Sequence, residues 1–439
     1  MRKINCSSLK FTCLSISIFS DKQKWLQLTN TAFMKISIIC HEIPYPVNNG
    51  GRADAWRRVK AFSELGAEIQ LITWYKEPPS PEALLEIDRY VDQRFLIPFS
   101  SSFTSLFHRV LDLRKFPLEV TSRIVRGQTL SNLKTQVAEF SPQVIWLDHL
   151  HSAEIAHHLA DCYDLPVMTR SHNIEHLYYE QLRSSACNLK GKLKRSLSIK
   201  NLHQYELENL SKSTLFYDIS LEDLKFWQSK GFDNGRYLPP LIDFRAFDQE
   251  LDSVDKGYEK YDLVFLGNLY SENNVAGVIW FIEQVLPKVQ AVLPDVSVLI
   301  AGSNPVSEIK DLCHSHSNIE LKSNPPATSL IYNSAKVLIN PTSSGSGVNM
   351  KSLEMLLAQK PIVSQPQGIA GLYKELKSYF TIAKNSDDFA IATVNLLKGK
   401  KHSQLIDRDL LESLFGFRAV ARVLEDMKEV TGECGVLVN

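Results

Sequence analysis

Ala335-Lys-Val-Leu-Ile-Asn-Pro-Thr-Ser-Ser-Gly-Ser-Gly-Val-Asn-Met-Lys-Ser-Leu-Glu354 reads as a buried strand, a loop of small residues and the start of a helix. The small residues from Thr342 to Gly347 leave main-chain N–H groups accessible where the helix begins, which suits them to cradle a diphosphate. Lys351 and Glu354 lie three apart, on neighbouring positions of one helical face. A cation there neutralises phosphate, and a carboxylate accepts two hydrogen bonds from a ribose diol. No Gly-Lys-Ser/Thr follows at the spacing of a Walker loop. The plainer alternative is a Ser/Gly-rich surface loop ahead of a solvated helix.

Outward from this stretch, strands and helices alternate, as in parallel sheets covered on both faces. Towards the amino terminus, Tyr261–Leu266 and Val296–Ala301 read as buried strands separated by a helix over Val275–Val292. Towards the carboxyl terminus, Met350–Ala358 reads as a helix, Pro361–Ser364 as a strand, and Leu410–Val430 as one amphipathic helix. The same pattern starts earlier at Met34. Ile36–Cys40, Glu68–Trp74, Val144–Leu147, Pro166–Thr169 and Leu215–Ile219 are strands, with helices at Ala53–Leu65 and Ala153–Cys162. Arg236-Tyr-Leu-Pro-Pro-Leu-Ile-Asp243 is a connector. The fold class is therefore α/β, with two doubly wound, Rossmann-like domains at about 34–240 and 241–409 facing across a cleft. The helix near 410–430 is free to pack back on the first. Ligands in these sheets bind beyond the carboxyl ends of the strands.

Hydrophobic residues at 44% and charged residues at 22% exclude a disordered chain. Lys+Arg and Asp+Glu are both 49, so no global field draws the chain to nucleic acid. The seven cysteines are scattered without a C-x-x-C pair, which argues against a disulfide framework or a cysteine-held zinc and fits a cytoplasmic protein. Residues 1–33 have a basic start and a short apolar run, with no small-residue cleavage site, and read as an extension ahead of the fold that opens at Met34. No stretch approaches the ~18–20 apolar residues of a membrane span.

Three more loops follow strands. Asn48-Asn-Gly-Gly-Arg52 pairs Gly50 and Gly51 before a helix, either as a ligand loop or as a structural turn. Thr169-Arg-Ser-His-Asn-Ile-Glu175 places His172 at a strand end, either as a functional group or as a structural hydrogen-bonder. Leu266-Gly-Asn-Leu-Tyr-Ser-Glu-Asn-Asn274 offers Gly267 for close backbone approach and Asn268 and Asn274 as neutral hydrogen-bonders. Two basic-apolar stretches, Lys190–Lys200 and Phe107–Arg126, read as solvated helix faces or as contacts with anionic lipid.

In this order the four loops resemble the retaining GT-B glycosyltransferases of the large glycosyl transferases group 1 family. Ser344-Gly-Ser-Gly-Val-Asn-Met-Lys-Ser-Leu-Glu-Met-Leu-Leu-Ala-Gln-Lys-Pro-Ile-Val-Ser364 is similar to the family's donor-binding stretch. The resemblance makes Glu354 the second glutamate of an E-x7-E motif, a ribose ligand. It makes Gly50-Gly51 the amino-terminal glycine pair, and His172 the histidine that touches the donor sugar. Two departures stand out. Ser346 occupies the first glutamate's place, as in a Gly-Ser-Gly branch, and Asn268 and Asn274 replace a basic pair.

The expectation is transfer of a hexosyl-type group from a nucleotide-diphosphate sugar to a glycan, lipid-linked or small-molecule acceptor. No metal and no other cofactor is expected. His172 and Lys351 are the catalytic candidates. The donor-binding candidates are Gly50, Gly51, Arg52, Gly267, Asn268, Asn274, Glu354 and the run Ser343, Ser344, Gly345, Ser346, Gly347, Val348. A non-catalytic nucleotide-sugar-binding scaffold is the rival. A dinucleotide oxidoreductase lacks its G-x-G-x-x-G after either first strand.

Overall fold

The computed structural model describes residues 34–100, 102–185, 189–252, 260–343, 348–400 and 406–432. The expected extension at 1–33 and the donor-loop residues Ser344, Gly345, Ser346 and Gly347 lie outside the described residues.

Two all-parallel sheets organise the chain, as the alternating pattern predicts. The first has seven strands: β1 (Lys35–Cys40), β2 (Glu68–Tyr75), β3 (Gln93–Pro98), β4 (Val144–Asp148), β5 (Val167–Ser171), β6 (Leu215–Asp218) and β7 (Gly235–Tyr237). Their spatial order is β3-β2-β1-β4-β5-β6-β7, so the order reverses between β1 and β4. The second has six: β8 (Tyr261–Leu266), β9 (Val298–Gly302), β10 (Ile319–Ser323), β11 (Ala335–Asn340), β12 (Ile362–Ser364) and β13 (Phe380–Ile382), ordered β10-β9-β8-β11-β12-β13.

The central strands are apolar throughout because helices cover both faces. On β1, Ile36 and Ile38 pack with Trp56 and Phe62 on one face, whereas Ile39 packs with Val137 and Leu159 on the other. The edge strands β3, β7, β10 and β13 have no counterpart in the sequence reading. β3 and β10 keep polar or half-exposed residues, and β7 overlaps the start of the stretch read as a connector. The expected helix over Val275–Val292 is Glu272–Trp280 and Leu286–Gln290, joined by a π-helical turn at Phe281–Val285. Pro287 has no N–H to continue the ladder at that point.

The carboxyl-terminal segment corrects another expectation. It forms two helices, Arg408–Phe415 and Phe417–Val430, broken at Gly416. A side chain there would press its Cβ to 2.5 Å from the Glu412 carbonyl oxygen. The break divides the segment between the two cores. Leu411 and Phe415 pack with Ile242 and Phe244 of the second half. Val420, Val423 and Met427 pack with Met34, Ile36 and Phe62 of the first, and the Tyr217 hydroxyl donates to Asp426 at 2.6 Å.

Candidate functional site

A cleft of about 700 Å³ opens where the carboxyl ends of both sheets meet, lined by Gly50 and Arg57 on one side and Gly267, Thr342, Lys351 and Glu354 on the other. Its floor depends on glycine. Gly302 ends β9, and a Cβ there would lie 1.6 Å from the Gly267 carbonyl oxygen after neighbouring β8. Helices Gly50–Glu64 and Met350–Leu357 both begin at the cleft, and a Cβ on Gly50 would meet Met350 Cγ at 3.7 Å. Two helix amino termini, with their free N–H groups and positive dipole ends, therefore face one space, an arrangement that favours an anion.

Lys351 sits at the centre of this arrangement. Its Nζ donates to Asn274 Oδ1 at 2.6 Å and to Thr342 Oγ1 at 2.7 Å, and lies 4.6 Å from the centre of the Phe265 ring. Burial lowers the Lys351 pKa to about 7. Asn274 in turn donates to the Asn268 carbonyl at 2.9 Å, and Asn268 donates to the Asn48 carbonyl in the other half at 3.3 Å. Neutral Asn274 thus positions the Lys351 amine, while Asn268 ties the two halves together at the cleft mouth.

Glu354 lies one turn along the same helix, and its carboxylate is already engaged. Arg57, from the opposite half, reaches it at 2.7 Å, and the Tyr332 hydroxyl donates to it at 3.4 Å. Arg57 was missed in the sequence because its partner is 297 positions away. Its spacing from Gly50 and Ala53, at i, i+3 and i+7, was the available signal.

Not every candidate reaches the cleft. Arg52 turns to Glu42 at 2.9 Å, and Gly51 is absent from the cleft lining. Ser343 is exposed at the edge of the described loop, and Val348 lines the cleft where the chain resumes. His172 is also absent from the lining. Its Nε2 pairs with Asp148 at 2.9 Å and its Nδ1 lies 3.8 Å from Asp54, with only 10% of the side chain exposed.

Around His172 lies a buried charge cluster, with Asp54 paired to Arg58 and to Arg170, and Arg58 also near Asp148. Burial alone would raise the Asp54 carboxyl, but the Arg170 and Arg58 guanidiniums outweigh it and hold the group well below the usual range. The cluster locks helix Gly50–Glu64 to the ends of β4 and β5, and so sets the cleft's first wall. His149 stacks on His172 with ring centres 5.6 Å apart, and leads to His41 and His151, discussed below.

Residues 260–399 match the family model described as Glycosyl transferases group 1. An uncharacterised 44.6 kDa protein of the cps region of Klebsiella pneumoniae is 26% identical over 384 residues, covering 83% of this chain and 91% of that one. Among solved structures, sucrose-phosphate synthase from Thermosynechococcus elongatus aligns with a TM-score of 0.62 at 12% identity, covering 92% of this chain and 100% of that one. The Anabaena protein HepE in complex with UDP aligns with a TM-score of 0.61 at 11% identity, covering 90% and 100%. The fold is that of the GT-B glycosyltransferase structures, and the match to the group 1 model lies within the second half.

Proposed function

We propose that the protein transfers a hexosyl-type group from a nucleoside diphosphate sugar to a glycan or lipid-linked acceptor. In this reading the anomeric configuration is retained and no metal ion sits at the diphosphate. The observation that carries it is Lys351, a buried amine held by Asn274 and Thr342 where two helices begin, with the Glu354 carboxylate one turn away. The bond from the anomeric carbon to the β-phosphate oxygen breaks, and its electron pair stays on the phosphate. Lys351 and the main-chain N–H groups at the helix start stabilise that charge as it develops. The acceptor oxygen bonds to the anomeric carbon on the face the diphosphate leaves, which retains configuration, and passes its proton to the departing phosphate oxygen. Glu354 accepts the ribose hydroxyls, sharing its oxygens with Arg57. UDP bound to HepE and the cps setting of the Klebsiella relative support a UDP-sugar donor and a polysaccharide acceptor.

The test is release of UDP from a panel of UDP-sugars. A Lys351→Ala variant that binds and turns over donor like wild type sinks the phosphate role. A melting-temperature rise with nucleotide and no UDP release from any donor favours the binding scaffold.

The acceptor half also suits an anionic membrane surface. Helix Phe103–Asp112 buries none of its residues, and Phe103, Phe107 and Val110 are 93%, 64% and 65% exposed. Asn201, just past helix Leu189–Ile199, donates to the Arg114 carbonyl at 3.2 Å and so brings both basic-apolar stretches together. The Lys190 side chain lies outside the described residues, but Lys192 and Lys194 are exposed beside Leu193. Flotation with phosphatidylglycerol vesicles is expected, with loss on Phe107→Asp. Equal flotation with purely zwitterionic vesicles, or none at all, refutes the contact. No described helix is long and apolar enough to cross a membrane.

A further inference from the structure

We propose that His41, His149 and His151 form a site for one divalent transition-metal ion of the zinc class, in the first half and apart from the diphosphate. This departs from the expectation of no metal, and it does not depend on the transfer reaction.

The position is the first argument. His41 directly follows β1, and His149 and His151 follow β4. These are the two strands between which the sheet order reverses, where the crevice of an open α/β sheet receives ligands. One potential ligand atom from each histidine lies within 4.8 Å of the others. At metal–nitrogen distances of ~2.0–2.1 Å, tetrahedral ligand nitrogens sit roughly 3.4 Å apart. Side-chain rotation therefore closes the site without moving the strands.

Unmet bonding capacity is the second. His149 Nδ1 and His151 Nε2 are buried without a hydrogen-bond partner, and His151 is only 6% exposed. Two orphaned imidazole nitrogens in a packed interior cost free energy unless something takes their lone pairs. A cation does so for both.

The third is orientation. His149 Nε2 lies 3.4 Å from Glu175 Oε1, which leaves Nδ1 as its ligating atom. Carboxylate behind imidazole behind metal is the usual supporting arrangement. His149 also adopts φ of 78°, a conformation costly for a residue with a Cβ, which aims its ring between His41 and His151 at centroid distances of 4.4 and 4.1 Å. The charged and titratable neighbours are Glu175, Glu42 at 3.9 Å from His41 Nε2, Arg123, whose Nε donates to the His41 carbonyl at 2.8 Å, and, beyond these, Arg52 and His172. Three imidazoles with no thiolate select zinc, cobalt, nickel or copper over magnesium or calcium.

The experiment uses the full chain stripped with a chelator and then titrated with Zn²⁺ by calorimetry and with Co²⁺ by visible absorption. One equivalent is expected to bind, with the intense absorption of tetrahedral cobalt. His151→Ala and His149→Gly should each weaken Zn²⁺ by more than the ~10–100-fold typical of losing a supporting group. Glycine adopts the φ of 78° and ψ of 132° found at His149 without a Cβ penalty, so the second variant keeps the backbone even if the first fails to fold. Glu175→Gln should weaken binding about tenfold. His158→Ala removes the exposed histidine near Cys162 and should change nothing. The proposal is overturned if the folded wild type gives no tetrahedral cobalt absorption, or if binding survives both histidine substitutions.

Discussion

Lys351 provides the sharpest test of the donor site, through pH. Burial sets its amine to titrate at about 7 in the unliganded protein. A diphosphate beside it favours the ammonium and returns the pKa towards the ordinary value of ~10.4. Below pH 7 both forms carry the proton, so Lys351 adds no pH dependence. Above pH 7 the free protein has shed a proton that the complex must take up again. Affinity then falls tenfold, or ~1.4 kcal/mol, per pH unit up to about 10. UDP's terminal phosphate, with a second pKa of ~6, is roughly three-quarters ionised at pH 6.5 and almost wholly ionised by 7.5, so the slope from 7.5 to 9.5 belongs to the protein. The assay is calorimetric titration with UDP at pH 6.5, 7.5, 8.5 and 9.5, in two buffers of different ionisation enthalpy to count the proton. Glu175 is pushed up to about 8 by burial and by Glu206, but it does not line the cleft. Lys351→Met isolates the slope from it, and should bind weakly at every pH with no dependence above 7. A wild-type affinity constant from pH 6.5 to 9.5, or a slope that survives in Lys351→Met, refutes the assignment.

Removing the Arg57 guanidinium, as in Arg57→Ala, strips Glu354 of its partner across the cleft. It should cost ~1.5–3 kcal/mol in urea unfolding while enlarging the melting shift produced by UDP. A shift that vanishes instead makes Arg57 itself the nucleotide contact. Asp54→Ala leaves Arg170, fully buried, without its carboxylate, and should cost ~3–5 kcal/mol by the same unfolding measurement. A loss below about 1 kcal/mol, within the range of an ordinary surface pair, refutes the charge cluster as the lock on the first wall. Gly277→Ala sets a Cβ 2.9 Å from the Pro341 carbonyl oxygen. The ~1–3 kcal/mol overpacking cost should exceed the helix-propensity gain and push Pro341–Thr342, with Lys351's anchor, out of place. UDP affinity should fall, and an unchanged affinity refutes the coupling.

The sheets were readable wherever a strand is buried on both faces. Ile36–Cys40, Val144–Leu147 and Tyr261–Leu266 are nearly unbroken apolar runs, and no other element of that length needs one. Ile319–Ser323 failed the same test because an edge strand leaves Glu320 and Lys322 in solvent. The cleft was readable where its chemistry is local, as in Lys351 and Glu354 on one helical turn. It was unreadable where the partner is remote. Arg52 and Arg57 share a helix and a charge, yet one meets Glu42 nearby and the other meets Glu354 in the opposite half. The histidines after β1 and β4 lie over a hundred residues apart in sequence, and only the sheet order makes them neighbours.

The break at Gly416 has a consequence for how the chain is made. Val420, Val423 and Met427 supply part of the covering of β1, the first of the described strands to be synthesised. Until residues 417–430 emerge, that apolar face lacks part of its wall while the whole second half is synthesised beside it. Nascent chains arrested near residue 400 should therefore hold the first half open to chaperones. A split protein meant to reassemble from two pieces needs residues 417–430 attached to the first piece.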